Sequence, residues 1–256
     1  MKPFCLLLLA LVFTLPLVAQ YQDRIDSGRP AQYFGARTTG DNVFQIQSGL
    51  LQNYLEVGRA TLKPVSFNHQ LRFGIAERVE LRAFFDYNWI DRLGPNDRIE
   101  EIDGLANTQV GFRVNVYDGA DGLAIGLQDE LLLLDQSSEF RRAQIGNAFV
   151  LSATRPLTDA LGAGANLSAT WDGDGAGDAT LAYTSFLTCA LTDDLGAFVE
   201  VFGQLNEGAS FNFDGGFAYL IGNDLQLDLY AGWTEGSIGR DFFLTGGVSW
   251  RFDWRE

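Results

Sequence analysis

Strict alternation of apolar and polar residues is the feature that most constrains how this chain can fold. In residues 160–171, six apolar residues occupy every second position and end at Trp171, and the residues between them are small or polar. The same period recurs in 78–89, 224–233 and 244–252. A period of two puts successive side chains on opposite faces of a β-strand, so each segment is predicted to be a strand with one apolar and one polar face.

Twelve segments of this kind are predicted, and their connections alternate in length. They span residues 42–54, 66–75, 78–89, 106–117, 122–134, 143–155, 160–171, 178–191, 195–205, 210–221, 224–233 and 241–252. Short turns follow the even-numbered segments, and longer loops follow the others, except for a short connection at 206–209. An even strand count with short turns at one end is typical of bacterial outer-membrane barrels, whose short turns lie in the periplasm. The predicted fold class is therefore all-β, an antiparallel transmembrane β-barrel of about twelve strands with both chain ends on the periplasmic side.

Aromatic residues on the apolar faces fall at two levels. Trp89, Trp171 and Trp233 each lie at the far end of a strand that leaves a short turn, and Trp250 and Phe252 lie at the opposite level. Two aromatic levels flanking an aliphatic band are typical of a membrane girdle, which predicts contact with outer-membrane lipid and lipopolysaccharide. The alternative is that these rings form the core of a soluble β-sandwich.

The start of the chain is predicted to be removed. A basic Met1-Lys2 precedes an apolar run that ends at Ala19, which is the pattern of a secretory signal peptide over residues 1–19. An uncleaved N-terminal anchor is the alternative. Residues 20–41 are then predicted to form a periplasmic N-terminal segment and residues 42–256 the barrel domain, which the barrel-insertion machinery of the bacterial outer membrane would assemble.

The net charge and the cysteine count exclude several classes of protein. The net charge of -15 argues against nucleic acid as a partner, because binding of phosphates requires a basic surface. Two cysteines exclude a disulfide-rich scaffold and a cysteine-based zinc cluster.

Charges within the strands are predicted to face the lumen. An arginine or lysine at the membrane midplane of a barrel costs about 2–4 kcal/mol on the lipid face, so the inward face is the expected place for a charge. The residues placed there by alternation are Arg72, Glu80, Arg82, Asp86, Arg113, Glu200, Asp228 and Arg251. They would either line a polar pore or form a plug of salt bridges in a narrow barrel, and twelve strands leave both possibilities open.

A search for reaction chemistry yields little. The one histidine, His69, is followed by Gln70-Leu71 and lacks the His-x-Ser pattern of barrel phospholipases, so it is interpreted as a strand residue near the outer interface. The acidic, glycine-rich stretch Asp172–Asp178 is a candidate calcium loop, but a polar outside hairpin loop is the preferred interpretation. No enzyme activity, cofactor or resident metal is predicted.

Three stretches of the chain carry a family resemblance: Asp26–Pro30 with Phe44–Gly49, Gly104–Tyr117, and Asp214–Phe252. They resemble the family of outer-membrane transporters named after the MetA-pathway of phenol degradation. Within the second stretch, Ala106 and Asn107 depart from the family pattern of Gly-x-Gly-Asp. The resemblance implies an outer-membrane barrel with a role in transport, and small hydrophobic or aromatic compounds as solutes.

The function predicted from the sequence is therefore an outer-membrane channel or transporter for small solutes. One alternative is a closed barrel with a structural or surface-binding role. A further alternative is a secreted, soluble β-sandwich that binds another molecule.

Overall fold

The computed structural model describes residues 22–29, 31–57, 60–93, 99–134, 137–175, 177–206, 208–235 and 240–255. The predicted signal peptide at 1–19 lies outside these residues. The strands are β1 (Val43–Val57), β2 (Ala60–Leu62), β3 (Val65–Ala76), β4 (Val79–Leu93), β5 (Ile99–Asp118), β6 (Ala124–Leu132), β7 (Gly146–Pro156), β8 (Leu161–Trp171), β9 (Thr180–Ala190), β10 (Leu195–Gln204), β11 (Asn212–Ile221), β12 (Leu225–Glu235) and β13 (Arg240–Asp253). A single turn of 3-10 helix lies at Ser138–Phe140. Among the described residues, no helix is both long and apolar enough to cross a membrane.

The strands close into an antiparallel barrel. Each strand from β3 onwards pairs with the next, and β1 pairs with β3 on one side and with β13 on the other. The closing pair runs in register from Val43 opposite Asp253 to Tyr54 opposite Phe242. The short β2 pairs only with the last residues of β1 and does not take part in the closed sheet. Twelve strands therefore form the wall, and the predicted fold class is confirmed.

The two faces of the wall have opposite polarity. On β6, every second residue from Ala124 to Leu132 is buried, and the buried set includes Gln128 and Glu130. Large apolar side chains on the outer face are open instead, with Leu167 54% and Val199 61% exposed. A polar interior inside an apolar surface suits a lipid environment and excludes the soluble sandwich, whose core would be apolar.

The predicted girdle residues lie on this outer face. Trp89, Trp171, Trp233 and Trp250 are all exposed, and Phe252 packs beside Trp250 with ring centroids 4.7 Å apart. The first three lie in the halves of their strands away from the short turns, and the last two lie close to the chain end. Their contact with the lipid interface stays a prediction.

Strand β5 begins at Ile99, earlier than the predicted start at residue 106. Its first part pairs with the far end of β4, so the β4–β5 hairpin is longer than its hydrophobic period indicates. The register shifts between Phe84 and Asp86, where Asn107 adopts a left-handed conformation with φ 53°. Asparagine tolerates this conformation, and its side-chain nitrogen donates a hydrogen bond of 2.9 Å to Oδ2 of Asp86.

Residues 20–41, predicted to be a periplasmic N-terminal segment that precedes the barrel domain, make contacts that the sequence did not indicate. The described part of this stretch lies in the lumen, against the inner face of the wall. We call residues 22–29 and 31–41 the inner segment. The segment has no regular secondary structure, so its backbone N–H and C=O groups need other partners, and the polar inner wall supplies them. Alternation within a strand concerns only neighbouring residues. It therefore could not predict hydrogen bonds between the inner segment and strands far away in the sequence.

The polarity of the wall predicts opposite effects for two neighbouring substitutions on β8. Leu167→Arg places a guanidinium on the outer face and is expected to destabilise the folded barrel by about 2–4 kcal/mol in lipid. Ser168→Arg points into the lumen beside a cavity and is expected to fold nearly as well as the parent. Urea titration of both variants in lipid vesicles measures the difference, and equal stability would contradict the assigned faces.

The orientation of the barrel in the membrane follows from the loop lengths and is a second prediction. Asp174 lies in the longer β8–β9 loop, and Thr158 lies in the short β7–β8 turn at the other end. In a Cys189→Ala background, a membrane-impermeant maleimide should label Asp174→Cys on intact cells. It should label Thr158→Cys only after the outer membrane is permeabilised. The reverse pattern would mean that the barrel is inserted the other way round.

Candidate functional site

The inner segment forms a loop that enters and leaves the lumen at the end with the short turns. On the way in, the N–H of Ile25 donates to the carbonyl oxygen of Asn223 in the β11–β12 turn at 2.7 Å. On the way out, the hydroxyl of Thr38 donates to the carbonyl oxygen of Glu77 in the β3–β4 turn at 2.6 Å. Between these points the segment reaches deeper into the barrel, where Arg29 contacts the wall.

Arg29 is the main polar anchor of the inner segment. Its Nε and Nη2 atoms donate to the two carboxylate oxygens of Asp228 at 3.2 and 3.1 Å. Nη1 donates to Asn68 and Nη2 also to the hydroxyl of Thr245, both at 3.2 Å. A two-point contact between guanidinium and carboxylate is geometrically specific and stronger than a neutral hydrogen bond. The contact fixes the depth of the loop against β3, β12 and β13.

Two glycines make room for this guanidinium. Gly49 on β1 and Gly247 on β13 are register partners on the inner face. A Cβ atom on Gly49 would lie 2.3 Å from the guanidinium carbon of Arg29, and one on Gly247 would lie 2.4 Å from its Nε. Any side chain at either position would therefore displace Arg29.

The returning part of the segment is held through its backbone. The N–H of Gln32 donates to Oε2 of Glu200 at 2.8 Å. The side-chain amide of Asn166 accepts from the N–H of Phe34 at 2.8 Å and donates to its carbonyl oxygen at 2.9 Å. Side chains of the wall thus supply the hydrogen-bond partners that a neighbouring strand would supply in a sheet.

A buried ionic network covers the wall from β3 to β6. Glu80 is its centre: its Oε1 accepts from Nε of Arg72 at 3.0 Å and from Nη1 of Arg82 at 2.9 Å. Nη1 of Arg113 lies 3.5 Å from the same oxygen. Arg82 also donates to Glu130 at 3.0 Å. Each charge of the network lies within 3.5 Å of an opposite charge, so this side of the lumen is filled by ion pairs, and Nη2 of Arg82 is left without a hydrogen-bond partner among the described residues.

All eight charged residues predicted to face inward lie on the inner side of the wall. Arg72, Glu80, Arg82 and Arg113 belong to the ionic network, and Asp86 accepts from Asn107. Glu200, Asp228 and Arg251 contact the inner segment; Arg251 donates to the carbonyl oxygens of Gln22 and Asp23 at 2.6 and 2.8 Å. Whether any of them lines a conducting path stays a prediction.

Three lumenal residues were missed from the sequence. Glu130 and Asp214 follow the alternation of β6 and β11 and could have been found by extending the same argument. Arg29 could not, because it precedes the first strand and its side-chain partners lie on three different strands. The only hint is that Arg29 lies in Asp26–Pro30, the stretch that resembles the opening of the family.

Two cavities lie in the half of the lumen opposite the ionic network. The first has a volume of about 620 Å³ and lies between the inner segment and strands β7–β11, with Tyr33, Phe186 and Phe198 among its lining. The second, of about 280 Å³, lies on the other side of Gln32 and Phe34 and is also lined by Phe202. The inner segment therefore separates two spaces that share one sector of the wall.

His69 has a serine partner that the sequence did not reveal. Oγ of Ser48 on β1 lies 2.9 Å from Nδ1 of His69 on the adjacent β3, and the ring of Phe85 stacks on the histidine at 4.7 Å. Both polar side chains belong to the outer face and satisfy each other there. Among the described residues, the hydrogen bond found for the His69 ring is this contact with Ser48.

The candidate calcium loop shows no such site in its described part. Oδ1 of Asp172 accepts from the N–H of Asp174 at 2.9 Å, which is a turn-stabilising contact. No group of three His, Cys, Asp or Glu residues outside the undescribed stretches is arranged to hold a metal ion.

Solved structures with the same architecture are outer-membrane barrels. An outer-membrane channel from Pseudomonas putida F1 matches over 89% of this chain and 100% of its own, with a TM-score of 0.63 and 11% identity. The KdgM porin, solved in complex with oligogalacturonate, matches over 81% and 99%, with a TM-score of 0.55 and 12% identity. The NanC porin matches over 81% and 98%, with a TM-score of 0.52 and 10% identity.

At these identities the comparison establishes the fold. Together with the apolar outer surface, it identifies the molecule as a β-barrel of the bacterial outer membrane. No curated protein matches the chain in sequence. The family model described as the MetA-pathway of phenol degradation matches residues 27–252, and the chain therefore belongs to this family.

Proposed function

We propose that this protein is a gated channel for small solutes in the outer membrane, with the inner segment as its plug. The observation that carries the proposal is the position of the segment, which separates two cavities in one sector of an otherwise continuous lumen. Removal of the loop from this position would join the cavities into one passage.

The path would follow strands β7 to β11. Inner-face residues on β8 and β9 are mostly small and neutral, such as Gly162, Ser168 and Thr188, and leave open space. The opposite sector carries the paired charges around Glu80 and is closed by them. A solute would therefore pass along one side of the lumen and leave the ionic network in place.

The nature of the cavities supports small, partly apolar solutes. Tyr33, Phe186 and Phe198 line the larger cavity, and aromatic walls favour aromatic and other apolar compounds. The family description, which refers to phenol degradation, agrees with this class of solute. The family match also begins at residue 27, so the model includes most of the inner segment together with the barrel.

A closed barrel with a structural role is the second candidate. It is favoured by the number of polar contacts that hold the inner segment, from Arg251 at its start to Glu80, which accepts from the N–H of Thr39, near its end. The two candidates differ in one measurable respect, because only a channel conducts when the segment moves.

Deletion of residues 22–37 tests the proposed gate. The barrel strands remain complete, so the shortened protein should still fold in lipid, as heat-modifiable mobility in gels would show. Its conductance in planar bilayers should exceed that of the parent at least severalfold, because the two cavities then join. If neither protein conducts although both fold, the closed barrel replaces the channel.

A milder perturbation tests the anchor itself. Gly49→Ala is expected to push Arg29 away from Asp228 and to weaken an interaction of the class worth about 1.5–3 kcal/mol. Because the displaced group is the end of a flexible side chain, the wall should remain folded. Openings in single-channel recordings should become more frequent.

Gly246→Ala is the matched control for this variant. Gly246 faces outward, and a Cβ atom there would meet its nearest neighbours at an ordinary 3.5 Å. Opening frequencies that rise equally in both variants would show that Arg29 does not hold the gate.

A further inference from the structure

Glu200 and Asp214 form an unusual pair in the lumen. They are register partners on β10 and β11, and both side chains point inward, with 2% and 6% exposure. Side chains directly opposite on antiparallel strands have Cβ atoms about 4.5–5.5 Å apart. Two carboxyl groups therefore face the same small volume of the barrel interior.

Among the described residues this pair has no positive partner, whereas three other lumenal carboxylates have one. Asp228 is bonded by Arg29, Glu80 by Arg72 and Arg82, and Glu130 by Arg82. By contrast, the carboxyls of Glu200 and Asp214 contact each other, and no cationic group among the described residues bonds to either of them. From the inner segment, the backbone N–H groups of Gln32 and Tyr33 donate to Glu200, that of Gln32 to Oε2 at 2.8 Å. Burying neighbouring carboxylates without a counter-charge is costly, which points to a positive group that belongs there.

The surroundings of the pair are aromatic. Phe198 and Phe202 flank Glu200 on the inner face of β10; the first lines the larger cavity and the second lines the smaller one. The ring of Tyr230 packs on Phe198 with centroids 5.8 Å apart. Glu200 therefore lies between a residue that lines the larger cavity and one that lines the smaller cavity, while neither carboxyl is itself part of either lining.

We propose that Glu200 and Asp214 form a binding site for the ammonium group of a small organic amine whose apolar body lies in the adjoining cavities. This inference rests on the proposed channel function and specifies its solute class. A carboxylate pair neutralises the ammonium, and aromatic faces favour both a cation and an apolar body. In the closed state Gln32 covers the site, so the amine gains access as the inner segment moves.

Binding to the full-length protein, refolded in detergent micelles, tests the site directly. The probe is phenethylammonium, and 2-phenylethanol is its neutral counterpart. The parent should bind the ammonium saturably in calorimetric titration and should bind the alcohol at least tenfold more weakly. The double variant Glu200→Gln/Asp214→Asn keeps the shape of both side chains and should lose at least tenfold in ammonium affinity. Asp174→Asn, which removes a carboxylate from an outer loop, should bind as the parent does.

Three outcomes would overturn the proposed site. The first is that the parent does not bind phenethylammonium, as expected if the two carboxyls only share a proton. The second is equal affinity of the parent and the double variant. The third is tight binding of calcium or sodium that depends on the pair while phenethylammonium does not compete, which would indicate an inorganic cation site.

Flux of the same probes into proteoliposomes separates this proposal from the channel function. Ammonium binding that depends on the pair, without flux through the parent or the protein lacking residues 22–37, would retain the site and reject the channel. Flux of the alcohol and the ammonium that is unchanged in the double variant would retain the channel and reject the site.

Discussion

Closure between β1 and β13 is the constraint on which the rest of the structure depends. Lipid offers no hydrogen-bond partners, so a sheet in a membrane must have no free edge. The continuous pairing from Val43–Asp253 to Tyr54–Phe242 removes that edge. Once the sheet is closed, alternation sends one set of side chains to lipid and the other into a confined interior. The polar residues of that interior must then satisfy one another or find a partner.

The charged groups of the interior are compensated differently on the two sides of the lumen. Between β3 and β6, arginines and glutamates of the wall pair with one another around Glu80. Strands β10–β12 contribute the carboxylates of Glu200, Asp214 and Asp228 but no lysine or arginine. On this side the compensating charge comes from Arg29 of the inner segment, which reaches only Asp228. The same loop therefore occupies part of the lumen and balances part of its charge, while the neighbouring carboxyl pair has no cationic partner among the described residues.

The strands could be predicted from the sequence because they follow the alternation of neighbouring residues. Contacts that depend on closure of the sheet could not be predicted in this way. Leu161 to Trp171 could be assigned to a strand because alternation and strand geometry share one period. The contact between Ser48 and His69 depends on the register between β1 and β3, which a single strand does not contain. The position of the inner segment is further removed still, because its partners come together only when all strands surround it. Asp214 lies between these cases, since its inward direction follows from period but its pairing with Glu200 follows from register.

The site of Arg29 spans the seam between the first and the last strand, because Gly49 belongs to β1 and Gly247 to β13. Half of the space for its guanidinium is therefore made by residues that are synthesised about two hundred positions after it. On an open sheet this binding site for the inner segment is incomplete, because β1 and β13 are not yet paired. Arg29 can therefore reach its full set of contacts only after the last strand has paired with the first.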